Sequence, residues 1–205
     1  MVRGEIFNSA THLAGSLFAV AGFAMLLTTA ARTGDPWKIA SFAVYGLALV
    51  ALYLFSTLYH SLDGRPKSIF RKLDHTSIYV LIAGTYTPFA LVSLRGPWGY
   101  TLLATVWTLA AAGILQEFLL RRRIRALSVF LYIFMGWLAL AVFVPLRHAI
   151  GWEGMAWLFA GGILYTAGVF FYLVDEKYAH SHGVFHLFVL GGSALHFFVV
   201  LRFLA

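Results

Sequence analysis

Long apolar stretches separated by short polar connectors run through the whole sequence. A helix rises about 1.5 Å per residue and the hydrocarbon core of a bilayer is about 30 Å thick, so a spanning helix needs about 20 mostly apolar residues. Seven stretches meet this requirement, over residues 7–30, 39–60, 73–94, 98–120, 126–146, 154–174 and 182–204. The pattern predicts an all-α integral membrane protein in which residues 1–205 form a single seven-transmembrane helix bundle.

The composition supports this class and restricts the chemistry. Of 205 residues, 61% are hydrophobic and 11% are charged, which is far from the balance of a soluble domain. The sequence contains no cysteine, so disulfides and thiolate metal sites are excluded and any metal must take nitrogen and oxygen ligands.

Basic residues are distributed unevenly between alternate connectors. One side of the predicted bundle receives ten of them and the other receives five. The ten are Arg3, Arg65, Lys67, Arg71, Lys72, Arg121, Arg122, Arg123, Arg125 and Lys177, and the five are Arg32, Lys38, Arg95, Arg147 and Arg202. The positive-inside rule then predicts a multi-pass protein with a cytosolic N-terminus and a C-terminus outside. This distribution accounts for the net charge of +7 without a nucleic-acid partner. The lack of a long N-terminal region and of eukaryotic targeting signals leads us to expect a bacterial inner membrane.

The predicted topology places several polar side chains at one depth near the cytosolic face. His182 and His186 lie four residues apart in the first turns of the last helix, a spacing that puts both imidazoles on one helix face. His60 ends the second helix, with Ser56 one turn deeper, and Asp74 opens the third helix at the same level. Ionisable residues inside a membrane are costly, so their convergence indicates a site.

Three imidazoles suit a tetrahedral zinc ion that keeps a fourth position open, although imidazole also suits other transition metals. His60, His182 and His186 are therefore the predicted ligands. Asp74 is predicted to hold or deprotonate the attacking water, and Ser56 to orient an imidazole or a substrate carbonyl. His12 fits the depth of the site but is expected to support it rather than bind metal. His196 lies about 15 Å deeper than His186 and is expected to bond between helices.

Three motifs carry a family resemblance. S-T-L-Y-H at residues 56–60, R-K-L-D-H-T-S-I-Y-V-L-I-A-G-T-Y-T-P at 71–88 and S-H-G-V-F-H at 181–186 follow in order along the chain. Together they resemble the bacterial hemolysin III family, within the superfamily of progestin and adipoQ receptors and more distantly related to alkaline ceramidases. The resemblance implies a seven-helix bundle and a zinc ion near the cytosolic face on the same three histidines, with Asp74 and Ser56 beside it.

These observations favour a zinc-dependent hydrolase that acts on an amide or ester of a membrane lipid at the cytosolic leaflet. Some relatives implied by the resemblance hydrolyse the amide of ceramides. The alternative is a non-catalytic sensor or regulator of the membrane, in which zinc pins the helices together. A haemolysis-associated factor is a further alternative suggested by the family name, but no stretch of the sequence predicts a pore.

Overall fold

The computed structural model describes residues 5–119 and 124–205, and within these ranges the chain is helical, without a strand. This confirms the predicted all-α class. The helices are α1 (Ile6–Thr33), α2 (Pro36–Ser61), α3 (Gly64–Pro88), α4 (Pro97–Leu119), α5 (Arg125–Gly136), α6 (Phe143–Leu173) and α7 (Ser181–Phe203). A π-helical turn at Phe89–Ser93 extends α3, and a 3-10 turn at Leu138–Val142 joins α5 to α6.

The helices are apolar enough to lie in a bilayer. Among the described residues, six helical stretches have the length and hydropathy needed to cross a membrane: Ile6–Thr33, Pro36–Ser61, Gly64–Ser93, Pro97–Leu119, Arg125–Leu173 and Ser181–Phe203. Large apolar side chains such as Phe18, Leu119 and Trp152 lie on the outer surface, with exposures of 77%, 69% and 67%. Such an extensive apolar surface requires lipid rather than water as its solvent.

Local sequence explains the tight turn between the first two helices. Gly34 ends α1 with a φ of 67°, a left-handed conformation that glycine adopts without a steric penalty. Asp35 then caps α2 by accepting a hydrogen bond from the Trp37 N–H at 2.9 Å, and Pro36 occupies the first helical position. The two helices therefore pack side by side along their length.

Helix α3 differs from the predicted segment 73–94 at both ends. It begins at Gly64, so its first turns carry the basic residues that hydropathy assigns to a connector. Hydropathy measures how well a segment suits lipid, whereas a helix can continue past the end of its apolar stretch. Pro88 near the other end removes a backbone donor, and the helix widens there into the π-helical turn.

The stretch from Arg125 to Leu173 is interrupted twice. At the first break, between α5 and the 3-10 turn, the Tyr86 hydroxyl donates to Gly136 O at 2.7 Å and accepts from Ala139 N at 2.9 Å. These bonds satisfy backbone groups that the break leaves without helical partners. At the second break, within α6, Gly151 has the non-helical angles φ 70° and ψ 178°. The predicted segments 126–146 and 154–174 lie on either side of Gly151.

Some predictions fall outside the described ranges. Leu120, which ends the predicted segment 98–120, is one such residue. So are four of the basic residues used for the topology: Arg3, Arg121, Arg122 and Arg123.

Packing brings three helix ends to one place. Helix α2 lies between α1 and α3, α6 packs against α7, and α1 also contacts α7. Fully buried side chains such as Phe42, Tyr45 and Leu26 fill the interior between them. The beginning of α1, the end of α2 and the beginning of α7 consequently meet at one end of the bundle.

The first turn of α4 offers a test of how closely the chain packs. A Cβ on Gly99 would overlap the backbone carbonyl oxygens of Ala90 and Leu94, which cannot rotate away as a side chain does. We expect Gly99→Ala to destabilise the protein by about 1–3 kcal/mol, the usual cost of overpacking. Thermal unfolding in detergent measures this. Gly136→Ala is the matched control, because nothing lies within 4 Å of a Cβ built there. Equal stability of the two variants would contradict the packing described for the start of α4.

Candidate metal centre

Three predicted histidines meet where α2 ends and α7 begins. His60, His182 and His186 each offer one ring nitrogen, and these atoms all lie within 4.8 Å of one another. The ring centroid of His60 lies 5.1 Å from that of His182 and 5.1 Å from that of His186. The ring centroids of His182 and His186 are 4.7 Å apart. His60 and His186 are buried and His182 is partly buried. This cluster could hold a metal ion.

Each of these imidazoles is held by an oxygen acceptor at Nδ1. His60 Nδ1 lies 2.7 Å from Glu5 Oε2, and His182 Nδ1 lies 2.8 Å from Asp175 Oδ2. His186 Nδ1 lies 3.2 Å from both the Asn8 carbonyl oxygen and Thr11 Oγ1. Because a carboxylate or carbonyl oxygen only accepts, Nδ1 carries the hydrogen and the lone pair of each neutral ring is on Nε2.

The remaining nitrogens suit a metal ion. His60 Nε2 is buried and has no hydrogen-bond partner among the described residues. Buried polar atoms almost always have a partner, so a buried lone pair in this position is suited to bind an ion. Histidines that bind metals typically give their other N–H to a carboxylate or carbonyl, which fixes the tautomer and turns Nε2 toward the ion. The donor set therefore fits a metal bound through three Nε2 atoms.

Two of the acceptors are carboxylates at the ends of helices. Burial tends to raise the pKa of Glu5, but hydrogen bonds from Asn8 and His60 and the charge of Lys67 outweigh it and hold the pKa below its usual value. Burial likewise opposes ionisation of Asp175, whereas hydrogen bonds from His182 and Arg125 lower its pKa. Both side chains are therefore ionised at neutral pH, and their negative charge would stabilise a cation held by the imidazoles.

His12 lies against the cluster without joining it. Its ring stacks on that of His186 with centroids 3.5 Å apart and an interplanar angle of 15°, and it meets the Tyr53 ring edge-on at 5.0 Å. The lone pair of an imidazole lies in the plane of its ring, and these two planes are stacked and nearly parallel, so one ion cannot lie in both planes. Both ring nitrogens of His12 are buried without a hydrogen-bond partner among the described residues.

The two residues predicted to act beside the metal differ in their placement. Ser56 is fully buried one turn from His60, and its Oγ has no hydrogen-bond partner among the described residues. Asp74 is half-buried on α3 and is not a member of the ligand group found in the described part of the chain. The neighbouring His75 ring lies 6.4 Å from Tyr59, which is next to His60, so α3 reaches the level of the cluster.

His196 lies away from the cluster and bonds between helices. Its Nε2 donates to the Leu158 carbonyl oxygen of α6 at 3.0 Å. This is the interhelical contact expected from its depth in α7.

Sequence reasoning missed the carboxylates that hold the imidazoles. Glu5 immediately precedes α1 and Asp175 lies between α6 and α7, so the predicted topology already puts both at the end of the bundle that carries the histidines. That shared depth is the signal that could have found them. Which carboxylate faces which imidazole depends on helix rotation and could not be predicted from depth.

Comparison with known proteins gives a consistent result over nearly the whole chain. The family model described as "Haemolysin-III related" matches residues 2–197. "Hemolysin-3" from Bacillus cereus is 46% identical over 202 residues, covering 98% of this chain and 91% of the relative. "Hemolysin-3 homolog" from Bacillus subtilis (strain 168) is 44% identical over 201 residues, covering 98% and 94%. "Monocyte to macrophage differentiation factor" from Homo sapiens is 27% identical over 203 residues, covering 96% and 83%.

Metal content tests the cluster directly. We expect elemental analysis of detergent-purified protein to find about one transition-metal ion per chain, and His186→Ala to lose it because two imidazoles bind far more weakly than three. His148→Ala is the matched control, since His148 is exposed and lies outside the cluster. Protein prepared without chelators that contains no stoichiometric metal would contradict a metal centre here.

Proposed function

This chain belongs to the haemolysin-III-related family, and we propose that it is a zinc-dependent hydrolase that cleaves an amide or ester of a membrane lipid at the cytosolic leaflet. It is a multi-pass membrane protein, consistent with a bacterial inner membrane. The observation that carries the proposal is the arrangement of three imidazoles with Nδ1 held and Nε2 left for an ion.

Zinc is proposed as the metal because an all-imidazole set of three is typical of zinc sites that keep a position open. When bound, such an ion supplies Lewis acidity, which activates a water molecule and polarises a carbonyl group. His60, His182 and His186 are the residues that would hold it.

Asp74 and Ser56 are the proposed catalytic residues, one for proton transfer and one for binding the substrate carbonyl. Asp74, on α3, is proposed as the general base that accepts a proton from the attacking water. Ser56 is proposed to donate a hydrogen bond to the substrate carbonyl. Its buried Oγ lies one turn from His60 without a partner among the described residues, so its hydrogen is available.

An apolar cavity supports a lipid as the substrate. It has a volume of about 150 Å³, and its lining includes Tyr172 and Phe185 as well as Phe89 and Leu146 further along the bundle. The rings of Tyr172 and Phe185 lie 6.1 Å and 5.7 Å from that of His182, so the cavity begins beside the cluster. An apolar chain in this cavity would leave its polar linkage near the imidazoles.

The position of the cluster supports seven crossings. His60 at the end of α2 and His182 at the start of α7 are neighbours, so an even number of crossings must separate them. Helices α3 and α4 supply two. The 49 residues of Arg125–Leu173 would extend about 74 Å as one straight helix, against a hydrocarbon core of about 30 Å. If Arg125–Leu173 crosses twice and turns at Gly151, the number of crossings is even and each crossing has a length that suits the hydrocarbon core.

Cysteine labelling tests this topology, because the chain has no cysteine of its own. We expect Ser68→Cys and Lys177→Cys to react with a membrane-impermeant maleimide only from the cytosolic side, and Glu153→Cys only from outside. All three positions are exposed. A single crossing between Arg125 and Leu173 would instead place position 177 outside. Labelling of position 177 from outside would therefore contradict seven crossings.

Asp74→Asn tests the hydrolase proposal. We expect it to keep bound zinc and thermal stability while lowering turnover of lipid amides or esters by at least about 100-fold, since loss of a general base typically costs that much. Release of fatty acid from a panel of such lipids is the measurement. Asp63→Asn is the matched control, because Asp63 is exposed and its side chain caps no helix.

Two outcomes of that experiment would support a structural zinc instead. One is the absence of turnover by the zinc-loaded wild type on every lipid tested. The other is a loss of stability in Asp74→Asn equal to that in His60→Ala.

A further inference from the structure

Arg125, the first residue of α5, contacts the segment that precedes α7. Its Nη2 donates to Asp175 Oδ1 at 2.8 Å and its Nη1 to Glu176 Oε1 at 3.1 Å. It also donates to the Tyr172 carbonyl oxygen, and its guanidinium stacks over the Tyr172 ring, 4.1 Å from the centroid. A planar guanidinium with several fixed donors is suited to holding such a set of partners in one geometry.

Asp175 connects this arginine to the histidine cluster. One carboxylate oxygen accepts from Arg125, and the other accepts from His182 Nδ1 at 2.8 Å. Bonds to both oxygens fix the plane of the carboxylate, which in turn fixes the plane and tautomer of the imidazole. The three side chains thus form one chain of charge-assisted hydrogen bonds from α5 to the cluster.

His182 is less enclosed than the other two ligands, so its orientation depends more on its hydrogen-bond partner. His60 and His186 are 2% and 1% exposed and are held by surrounding side chains, whereas the His182 side chain is 23% exposed. It lies in the first turn of α7, directly after Ser181 and the left-handed residue His180 with φ 65°. Its hydrogen bond to Asp175 and its ring contacts with Tyr172 and Phe185 therefore set its direction together.

We propose that Arg125 is a positioning residue of the metal centre, which fixes Asp175 so that His182 keeps Nε2 turned toward His60 and His186. This inference rests on the proposed metal-binding function. It assigns a role in the site to α5, although α5 contributes none of the three ligands.

Glu176 provides a control on the same guanidinium. It pairs with Arg125 as Asp175 does, but its side chain is 87% exposed and it bonds Arg125 rather than an imidazole. Exposed ion pairs contribute little, because water screens the charges. If Arg125 acts through Asp175, neutralising Asp175 and neutralising Glu176 must have very different effects on metal binding.

The experiment measures the zinc dissociation constant of the purified full-length protein by competition with a chromogenic chelator. We expect Asp175→Asn to weaken binding by about 10- to 100-fold and Arg125→Gln by about 10-fold, the range found for partners of metal ligands. Glu176→Gln should stay within about two-fold of the wild type. Arg125→Met serves as a second variant if Arg125→Gln does not fold, as judged by helix content and monodispersity.

Two further readouts separate positioning from general stability. Cobalt substituted for zinc should give weaker and shifted d–d absorption in Arg125→Gln, because the ligand geometry is less well fixed. The melting temperature of metal-free Arg125→Gln should stay close to that of the metal-free wild type. The double variant Arg125→Gln with Asp175→Asn should bind zinc no more weakly than Asp175→Asn alone, since both changes break one chain of contacts.

The outcomes distinguish this inference from the proposed function. Wild type that binds zinc, together with an Arg125→Gln or Arg125→Met variant that binds it equally well, would overturn the role of Arg125 alone. Fully additive losses in the double variant would also overturn it. Wild type that binds no metal would overturn both the role of Arg125 and the proposed function.

Discussion

Hydrogen bonds donated by the Nδ1–H groups of three imidazoles are the interactions on which the candidate site depends. An imidazole ring can rotate and can carry its hydrogen on either nitrogen, so three histidines brought together by helix packing do not by themselves make three convergent lone pairs. The acceptors Glu5, Asn8 with Thr11, and Asp175 remove both freedoms. They come from the beginning of α1 and from the segment before α7, and the site therefore needs these regions as much as the helices that carry the histidines.

This requirement explains the polar face of α1, a helix that supplies none of the three clustered imidazoles. Thr11 and the Asn8 carbonyl hold His186, Asn8 also donates to Glu5 at 2.7 Å, and His12 covers the His186 ring. Gly183 permits the close approach, since a Cβ there would collide with Phe7. In lipid, polar side chains on a helix are costly unless they find partners inside the bundle, so their placement also fixes the rotation of α1 against α2 and α7.

The sequence was sufficient to predict the features that depend on local pattern. Apolar length predicted an all-helical chain with several stretches able to span a membrane, and the spacing of His182 and His186, with His60 at the same depth, predicted the cluster that the structure brings together. The start of α3 at Gly64 was not predictable from hydropathy, because its basic first turns are helical but lie outside the most apolar stretch.

The pairing of Arg125 with Asp175 was not predictable either. Fifty residues separate them, and their contact depends on how α5 and α6 rotate. The role of Asp74 stays a prediction, because the structure leaves it outside the ligand group of the described residues.

The distribution of unpaired polar atoms bears on whether such a centre is structural or takes a substrate. A closed structural site satisfies its polar groups within the protein, since each buried group without a partner costs about 1–3 kcal/mol. Here Ser56 Oγ, His60 Nε2 and both ring nitrogens of His12 are buried without hydrogen-bond partners among the described residues. An ion accounts for His60 but not for the hydroxyl or for His12, whose ring is parallel to that of His186. These groups keep donors and acceptors available for a further polar ligand, and the neighbouring cavity is apolar. A molecule with a polar linkage and an apolar chain is complementary to both regions, which supports the proposed lipid substrate.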